Sequence, residues 1–128
     1  MKKLYRIDPY TETVACVATT DSLADLTRQL ACRHIQMVAL TGTSDVLILD
    51  ADALSQPPYP PAWQRCNYDQ HYYGIALWVH MTPEGKLTKP RTRLTSVRRL
   101  LQFVGFIQPQ QQIDYLPLDE IGDRDEPA

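Results

Sequence analysis

The longest strand candidate in the chain is residues 72–80, which read YYGIALWVH. Five consecutive apolar residues, 75–79, leave no polar face for water, so this strand is expected to be buried on both faces. Residues 46–49, which read VLIL, have the same property. Two such strands predict a sheet whose centre is covered on both sides, either by other elements or by a partner chain.

Shorter elements surround these two strands. Residues 4–7 and 13–18 predict a hairpin, because Asp8 and Pro9 between them favour a turn. Leucines at helical spacing predict a first helix over residues 23–30. Further strands are predicted at residues 35–40 and from residue 87, after a turn at residues 82–85.

A second helix is predicted from an apolar stripe at the spacing i, i+3, i+4, i+7: Val97, Leu100, Leu101 and Val104. Thr95 or Ser96 is its expected N-cap, and Gly105 its expected end. The whole pattern predicts an α+β domain over residues 1–113, with a single, mostly antiparallel sheet of about five or six strands and two packed helices. Two helices do not suffice to cover both faces of such a sheet, so a homo-oligomer is expected.

Charge divides the chain into two parts. Among its 128 residues the net charge is -2, but residues 114–128 alone carry -5 and are expected to form an acidic C-terminal tail. Six basic residues and no acidic one lie within residues 86–99. No apolar run reaches the ~18 residues of a membrane helix, and none follows Lys3 as in a signal peptide, so a cytoplasmic protein is expected.

Several kinds of chemistry lack their motifs. The five glycines are isolated, so neither a P-loop nor a dinucleotide-binding fingerprint is present. Cys16, Cys32 and Cys66 form no CxxC pair, which argues against a disulfide framework and a zinc site. Cys16 and Cys32 have apolar neighbours and are expected in the core. We therefore predict no cofactor, no metal and no catalytic residue.

A Pro- and aromatic-rich segment, residues 50–71, is expected to be an irregular loop of the functional kind. Its rings and the nearby cations predict a ligand-binding surface, because rings stack on bases and arginines grip phosphates. The predicted ligand-binding residues are Tyr59, Trp63, Arg65, Tyr68, Tyr72, Lys89, Arg91 and Arg93. The same rings also fit the rim of a core or a self-association surface. The near-neutral net charge argues against binding of long nucleic acids.

These features support a non-enzymatic binding protein for a nucleotide-like anion, and two alternatives stay open. One is a protein that inhibits another protein through the Pro-rich loop, whose run at residues 57–61 fits a polyproline ligand, or through the acidic tail. The other is a small enzyme that uses Asp50, His71 or His80.

The opening residues 4–14, LYRIDPYTETV, resemble a family of small proteins of unknown function from phages and mobile elements. Such chains continue with a helix, as at residues 23–30, and an apolar strand that ends in acidic residues, as at 46–52. The resemblance covers roughly residues 4–81 and carries no catalytic residues. It implies a phage accessory protein in a bacterial host, of the kind that counters host defence by sequestering a signalling nucleotide or by blocking a defence protein.

Overall fold

The structure, a computed structural model, describes residues 1–109. Within this range the chain forms nine strands and two helices. The strands are β1 (Lys2–Asp8), β2 (Thr13–Thr19), β3 (Ile35–Ala39), β4 (Asp45–Asp50), β5 (Ala62–Arg65), β6 (His71–Tyr73), β7 (Ala76–Met81), β8 (Leu87–Thr88) and β9 (Leu101–Gly105). The helices are α1 (Leu23–Leu30) and α2 (Leu94–Leu100). The predicted acidic tail, residues 114–128, lies outside the described residues, as do residues 110–113 of the predicted domain.

Six of the strands form one antiparallel sheet in the order β2-β1-β7-β4-β3, with β8 paired to the end of β7. Trp78 in β7 lies between Tyr5 of β1 and Leu47 of β4. This sheet and the two helices confirm the predicted α+β fold class. Neither of the two described helices has the length and apolar character needed to span a membrane.

The central strands β4 and β7 are buried on both faces, as their apolar runs predict. Helix α1 covers one face by packing Leu26 and Leu30 against side chains such as Ile48. The helix begins at Ser22, whose side chain accepts a hydrogen bond from the Asp25 amide, and ends at Ala31 in the left-handed conformation.

The opposite face is covered by a second sheet, which the sequence did not predict. Its three antiparallel strands lie in the order β6-β5-β9. Its largest core side chain is Trp63, which is fully buried and packs against Tyr72 with ring centroids 4.7 Å apart. The prediction of an irregular loop over residues 50–71 is therefore wrong at β5, a paired strand in which Ala62 and Trp63 are fully buried. Because this sheet covers the second face, the reason given for a homo-oligomer no longer holds.

The predicted strand over residues 72–80 is two strands of different sheets. Gly74 separates them with a φ of +85°, a conformation that breaks a strand and favours glycine. His71 therefore lies in β6, whereas His80 lies in β7. The buried apolar run was predicted correctly. The passage of the chain from one sheet to the other at Gly74 was not predicted.

The predicted second helix is too long. It ends at Leu100, and Leu101 is already extended at the start of β9. Leu101 and Phe103 pair with β5 and pack on the core beside Val97. Val97, Leu100, Leu101 and Val104 have the helical spacing, but Leu101 and Phe103 also alternate as in a strand, and pairing with β5 favours the strand. The N-cap is Arg93 rather than Thr95 or Ser96, and it makes no side-chain capping bond.

The cysteines also differ from expectation. Cys16 is exposed and Cys32 is half-buried, and all three cysteines are free thiols. The prediction that Cys16 lies in the core is wrong because β2 is an edge strand. The covering layer buries Val14 but leaves Cys16 and Ala18 exposed.

We expect Trp63→Ala to lower the free energy of unfolding by about 3–5 kcal/mol, because it empties the centre of the second sheet's core. It also removes the hydrogen bond that the indole Nε1 donates to the Gly74 carbonyl at 3.2 Å. Urea unfolding followed by circular dichroism measures the change. Tyr10→Ala is the control, since Tyr10 is 59% exposed. Equal losses in the two variants would contradict the core position of Trp63.

Candidate functional site

A buried carboxylate stands at the start of β4. Asp45 is only 2% exposed, yet its two oxygens accept five hydrogen bonds. Two come from β7: the Trp78 indole at 2.8 Å and His80 Nδ1 at 3.3 Å. The others come from the Arg91 amide and from the Thr92 amide and hydroxyl, at 2.9–3.0 Å. Asp45 therefore attaches the segment before α2 to the centre of the sheet.

Burial acts on the pKa of Asp45 in the upward direction, since it penalises the charged form. The hydrogen bonds donated by Arg91, Trp78 and Thr92 act in the opposite direction and outweigh it. The net result is a pKa below the ordinary value of an aspartate, so Asp45 is ionised at neutral pH.

A second contact holds the same segment from β1. The Tyr5 hydroxyl donates a hydrogen bond to the Thr92 carbonyl at 2.8 Å. Burial, then the nearby Cys16 and Asp45, raise the pKa of Tyr5, which keeps its hydroxyl protonated as a donor. Pro90, at the start of the segment, is buried. The backbone of residues 90–92 is therefore fixed from both β1 and β4.

This fixed backbone presents three cations to solvent. Lys89, Arg91 and Arg93 are exposed and line one shallow cleft of about 370 Å³, which we call the basic cleft. Its other lining residues are Tyr5, Cys16, Pro90, Thr92 and Leu94. None of the three cations forms an ion pair with another residue in the range 1–109. Their charge is available to an anion.

The aromatic residues of the predicted site lie elsewhere. Trp63 and Tyr72 are core residues and cannot stack on a ligand without unfolding of the second sheet. Tyr59 lines a separate surface cleft with Pro57, Pro58 and Phe106. Of the eight predicted residues, the basic cleft contains only the three cations.

Arg65 and Tyr68 have a visible structural role at the turn between β3 and β4. Arg65 is 5% exposed, lies 3.9 Å from the centre of the Tyr68 ring and donates a hydrogen bond to the Thr41 carbonyl at 2.8 Å. The Tyr68 hydroxyl donates to the same carbonyl at 3.3 Å. The Arg65 Nε is buried without a hydrogen-bond partner in the described part of the chain. The ring of Tyr68 therefore compensates part of the cost of burying this cation.

Sequence reasoning missed Asp45, Tyr5 and Cys16. Only Asp45 had a detectable signal: an acidic residue directly before the doubly buried run 46–49 has to be buried or to end the sheet. Tyr5 and Cys16 reach the basic cleft because β1 pairs with β7 and β2 pairs with β1, and no short-range pattern shows that.

A second, smaller cleft of about 200 Å³ contains Asp50, His71 and Tyr73. Burial raises the pKa of Tyr73, so its hydroxyl stays protonated at neutral pH. The structure thus brings together two of the three residues proposed for an enzyme. It keeps His80 apart, on Asp45. Of the three residues proposed for an enzyme, only Asp50 and His71 line this cleft. Residues 1–109 hold no group of three or more side chains suited to binding a metal.

Comparison with protein-family models, with curated proteins and with solved structures finds no match for this chain. The basic cleft, with the contacts of Asp45 and Tyr5 that hold its backbone, is the feature of this chain that bears on function.

We expect Asp45→Asn to lower the free energy of unfolding by about 2–5 kcal/mol at neutral pH, since an amide nitrogen would face hydrogen-bond donors. The pKa of Asp45 is lowered in the folded state, so its contribution is complete above pH ~4 and lost as the pH falls further. Urea unfolding of both proteins at several pH values measures the difference in their free energies of unfolding. This difference is expected to become smaller in acid.

Asp50→Asn, at the other end of the same strand, is the matched control. Asp50 accepts one hydrogen bond, from the Asp52 amide at 2.8 Å, and its substitution is expected to cost less than about 1 kcal/mol. A pH-independent difference between native chain and Asp45→Asn would contradict the assigned charge state.

Proposed function

We propose that this protein is a non-enzymatic binding protein that sequesters a small, nucleotide-like anion in the basic cleft. The observation that carries this proposal is the position of Lys89, Arg91 and Arg93. All three lie exposed and without ion pairs within the described chain, on a backbone fixed by Asp45 and Tyr5.

Cations carried on a fixed backbone bind an anion better than cations on a mobile loop, because less backbone freedom is lost on binding. Two arginines are suited to phosphate oxygens, since each guanidinium offers a planar pair of donors. The backbone that carries these groups is held within the fold by the three hydrogen bonds that Arg91 and Thr92 donate to Asp45. These properties favour phosphate over a carboxylate of the same charge.

The lining of the cleft also indicates what kind of phosphate ligand fits. A cleft of about 370 Å³ has the size of a small-molecule site. The large rings of Trp63 and Tyr72 lie in the core, so the base contributes less than the sequence predicts. We therefore expect recognition dominated by phosphate, with strong salt dependence and modest selectivity among bases.

The biological setting of this proposal comes from the resemblance of residues 4–81 to phage and mobile-element proteins. In that setting, the protein would act in the bacterial cytoplasm and withdraw a signalling nucleotide from host defence. The near-neutral net charge supports a small ligand rather than a long nucleic acid.

We expect Arg91→Ala and Arg93→Ala each to weaken nucleotide binding about 10- to 100-fold, the value of one or two charge-assisted hydrogen bonds. Titration calorimetry with a panel of linear and cyclic nucleotides measures the affinities. A ligand at 100 times its dissociation constant adds about 2.7 kcal/mol of stability, so thermal shift provides the initial screen. Inorganic pyrophosphate is expected to compete.

Arg33→Ala is the matched control for these variants. Arg33 is exposed, forms no ion pair within residues 1–109 and does not line the basic cleft, so its loss changes only the net charge. The proposal would be refuted if no nucleotide of the panel binds. It would also be refuted if Arg33→Ala loses as much affinity as Arg91→Ala.

A second candidate function rests on an exposed aromatic surface. Phe106 is 74% exposed and meets the exposed ring of Tyr10 edge-on, with centroids 6.4 Å apart. The same Phe106 lines the cleft that contains Pro57, Pro58 and Tyr59. Exposed rings beside prolines are typical of protein-binding surfaces. This surface supports the alternative proposal of a protein that inhibits a host defence protein.

If that alternative is correct, Phe106→Ser abolishes co-purification of one host protein from a lysate of the bacterial host and leaves nucleotide binding unchanged. The expected loss of binding free energy is about 2 kcal/mol or more, as for a central aromatic contact. Arg91→Ala serves as the converse control, because it leaves the aromatic surface intact. Equal recovery of the host protein by native chain and Phe106→Ser would exclude this surface.

A further inference from the structure

Strand β2 forms one edge of the six-stranded sheet. Among the described strands it pairs only with β1. Its seven residues, TVACVAT, include no charged residue, no proline and no glycine. Monomeric proteins usually protect an edge strand with such residues, because its unpaired backbone groups can pair with another chain. An edge of this length that carries none of these residues, and on which Arg98 occupies only the Val14 carbonyl, is suited to a strand partner.

The sequence of β2 matches itself when it is read in the opposite direction. In an antiparallel pair centred on Cys16, Thr13 faces Thr19, Val14 faces Ala18 and Ala15 faces Val17. Each valine thus lies opposite an alanine, each threonine lies opposite a threonine, and no charges oppose each other. We propose that a second copy of this chain pairs with β2 in this register, with a two-fold axis at Cys16.

The backbone of β2 also has the orientation that this pairing requires. Arg98, in α2, donates two hydrogen bonds to the Val14 carbonyl, at 2.8 and 3.1 Å, so this carbonyl points away from β1. Backbone groups alternate along a strand, and those of Cys16 and Ala18 therefore point to the same outer edge. A carbonyl accepts two hydrogen bonds, and Arg98 supplies both, so in the proposed pair the N–H of Ala18 of the partner subunit takes the place of one of the two Arg98 bonds at Val14.

The pairing has a consequence for the basic cleft, and this step rests on the proposed function. Cys16 lines that cleft together with Arg91 and Arg93. An axis perpendicular to the sheet at Cys16 places the clefts of both copies on one face, where they adjoin. Six cations would then surround one site. A ligand with two separated phosphates, such as a dinucleotide, fits that arrangement.

Mild oxidation of the native chain tests the register. Opposed Cys16 residues lie about 5.5 Å apart at Cα, within the range of a disulfide, so a Cys16-linked dimer is expected. Cys16→Ser is expected to lose it. The matched variant Cys16→Ser/Ala18→Cys moves the thiol two residues along the same exposed strand, where the two copies lie about 14 Å apart. Equal cross-linking at residues 16 and 18 would overturn the register.

Sedimentation of the unlinked chain tests the interface itself. The native chain is expected at twice its mass of 14.6 kDa, and Ala18→Pro, which removes an outward N–H, at 14.6 kDa with its circular dichroism unchanged. Ala18→Ser keeps the N–H and is expected to remain dimeric. A native chain that stays monomeric at every concentration would overturn the proposal. If Ala18→Pro does not fold, the cross-linking contrast between residues 16 and 18 decides.

Stoichiometry separates this inference from the proposed function. The 5′-phosphorylated diadenylate is expected to bind once per two native chains, and about tenfold or more weakly to Ala18→Pro. Inorganic pyrophosphate, which needs one cleft, is expected to bind both proteins equally. A dimer that binds neither probe refutes the proposed function but supports the interface. One diadenylate per chain, with equal affinity in Ala18→Pro, refutes the shared site.

Discussion

The charge of Asp45 is the constraint on which the rest of the molecule depends. A carboxylate removed from water costs several kcal/mol unless donors replace its hydration. Here the donors come from β7 and from the segment before α2, 46–47 positions later in the chain. Burial of this single group therefore requires that β4, β7 and that segment meet. The basic cleft exists because an anion inside the sheet holds its backbone while its cations face outward.

Much of the fold could be predicted from local sequence patterns. The doubly buried strand at residues 46–49 and helix α1 are settled by side chains close in sequence, so periodicity identifies both. Segments whose apolar residues fit both the helical and the strand period could not be assigned from local patterns. Leu101 and Phe103 fit a helix or a strand, and only the pairing with β5 decides between them. Trp63 lies close to a run of prolines that resembles a loop, and its core position depends on the strands beside it.

The candidate site likewise contains residues whose positions could be predicted from residue type and residues whose positions could not. Cations are costly to bury, so residue type favours the exposed positions of Lys89, Arg91 and Arg93. Arg65, in contrast, is buried against Tyr68, a contact that residue type does not show. Aromatic rings are equally suited to a core and to a ligand, which is why sequence alone could not separate Trp63 from a binding residue. Asp45 is the reverse case. Its residue type favours solvent, and only long-range donors make its buried position possible.

The position of β1 between β2 and β7 has a consequence for synthesis on the ribosome. Tyr5 and the Thr92 carbonyl that it contacts lie 87 positions apart. At roughly 5–20 residues per second, the β1–β2 hairpin leaves the ribosome several seconds before this partner does. Contacts between distant parts of a chain also slow folding. The basic cleft thus forms only after β7 and β8 have been made, and a nascent chain that has not reached β7 exposes both edges of its first hairpin.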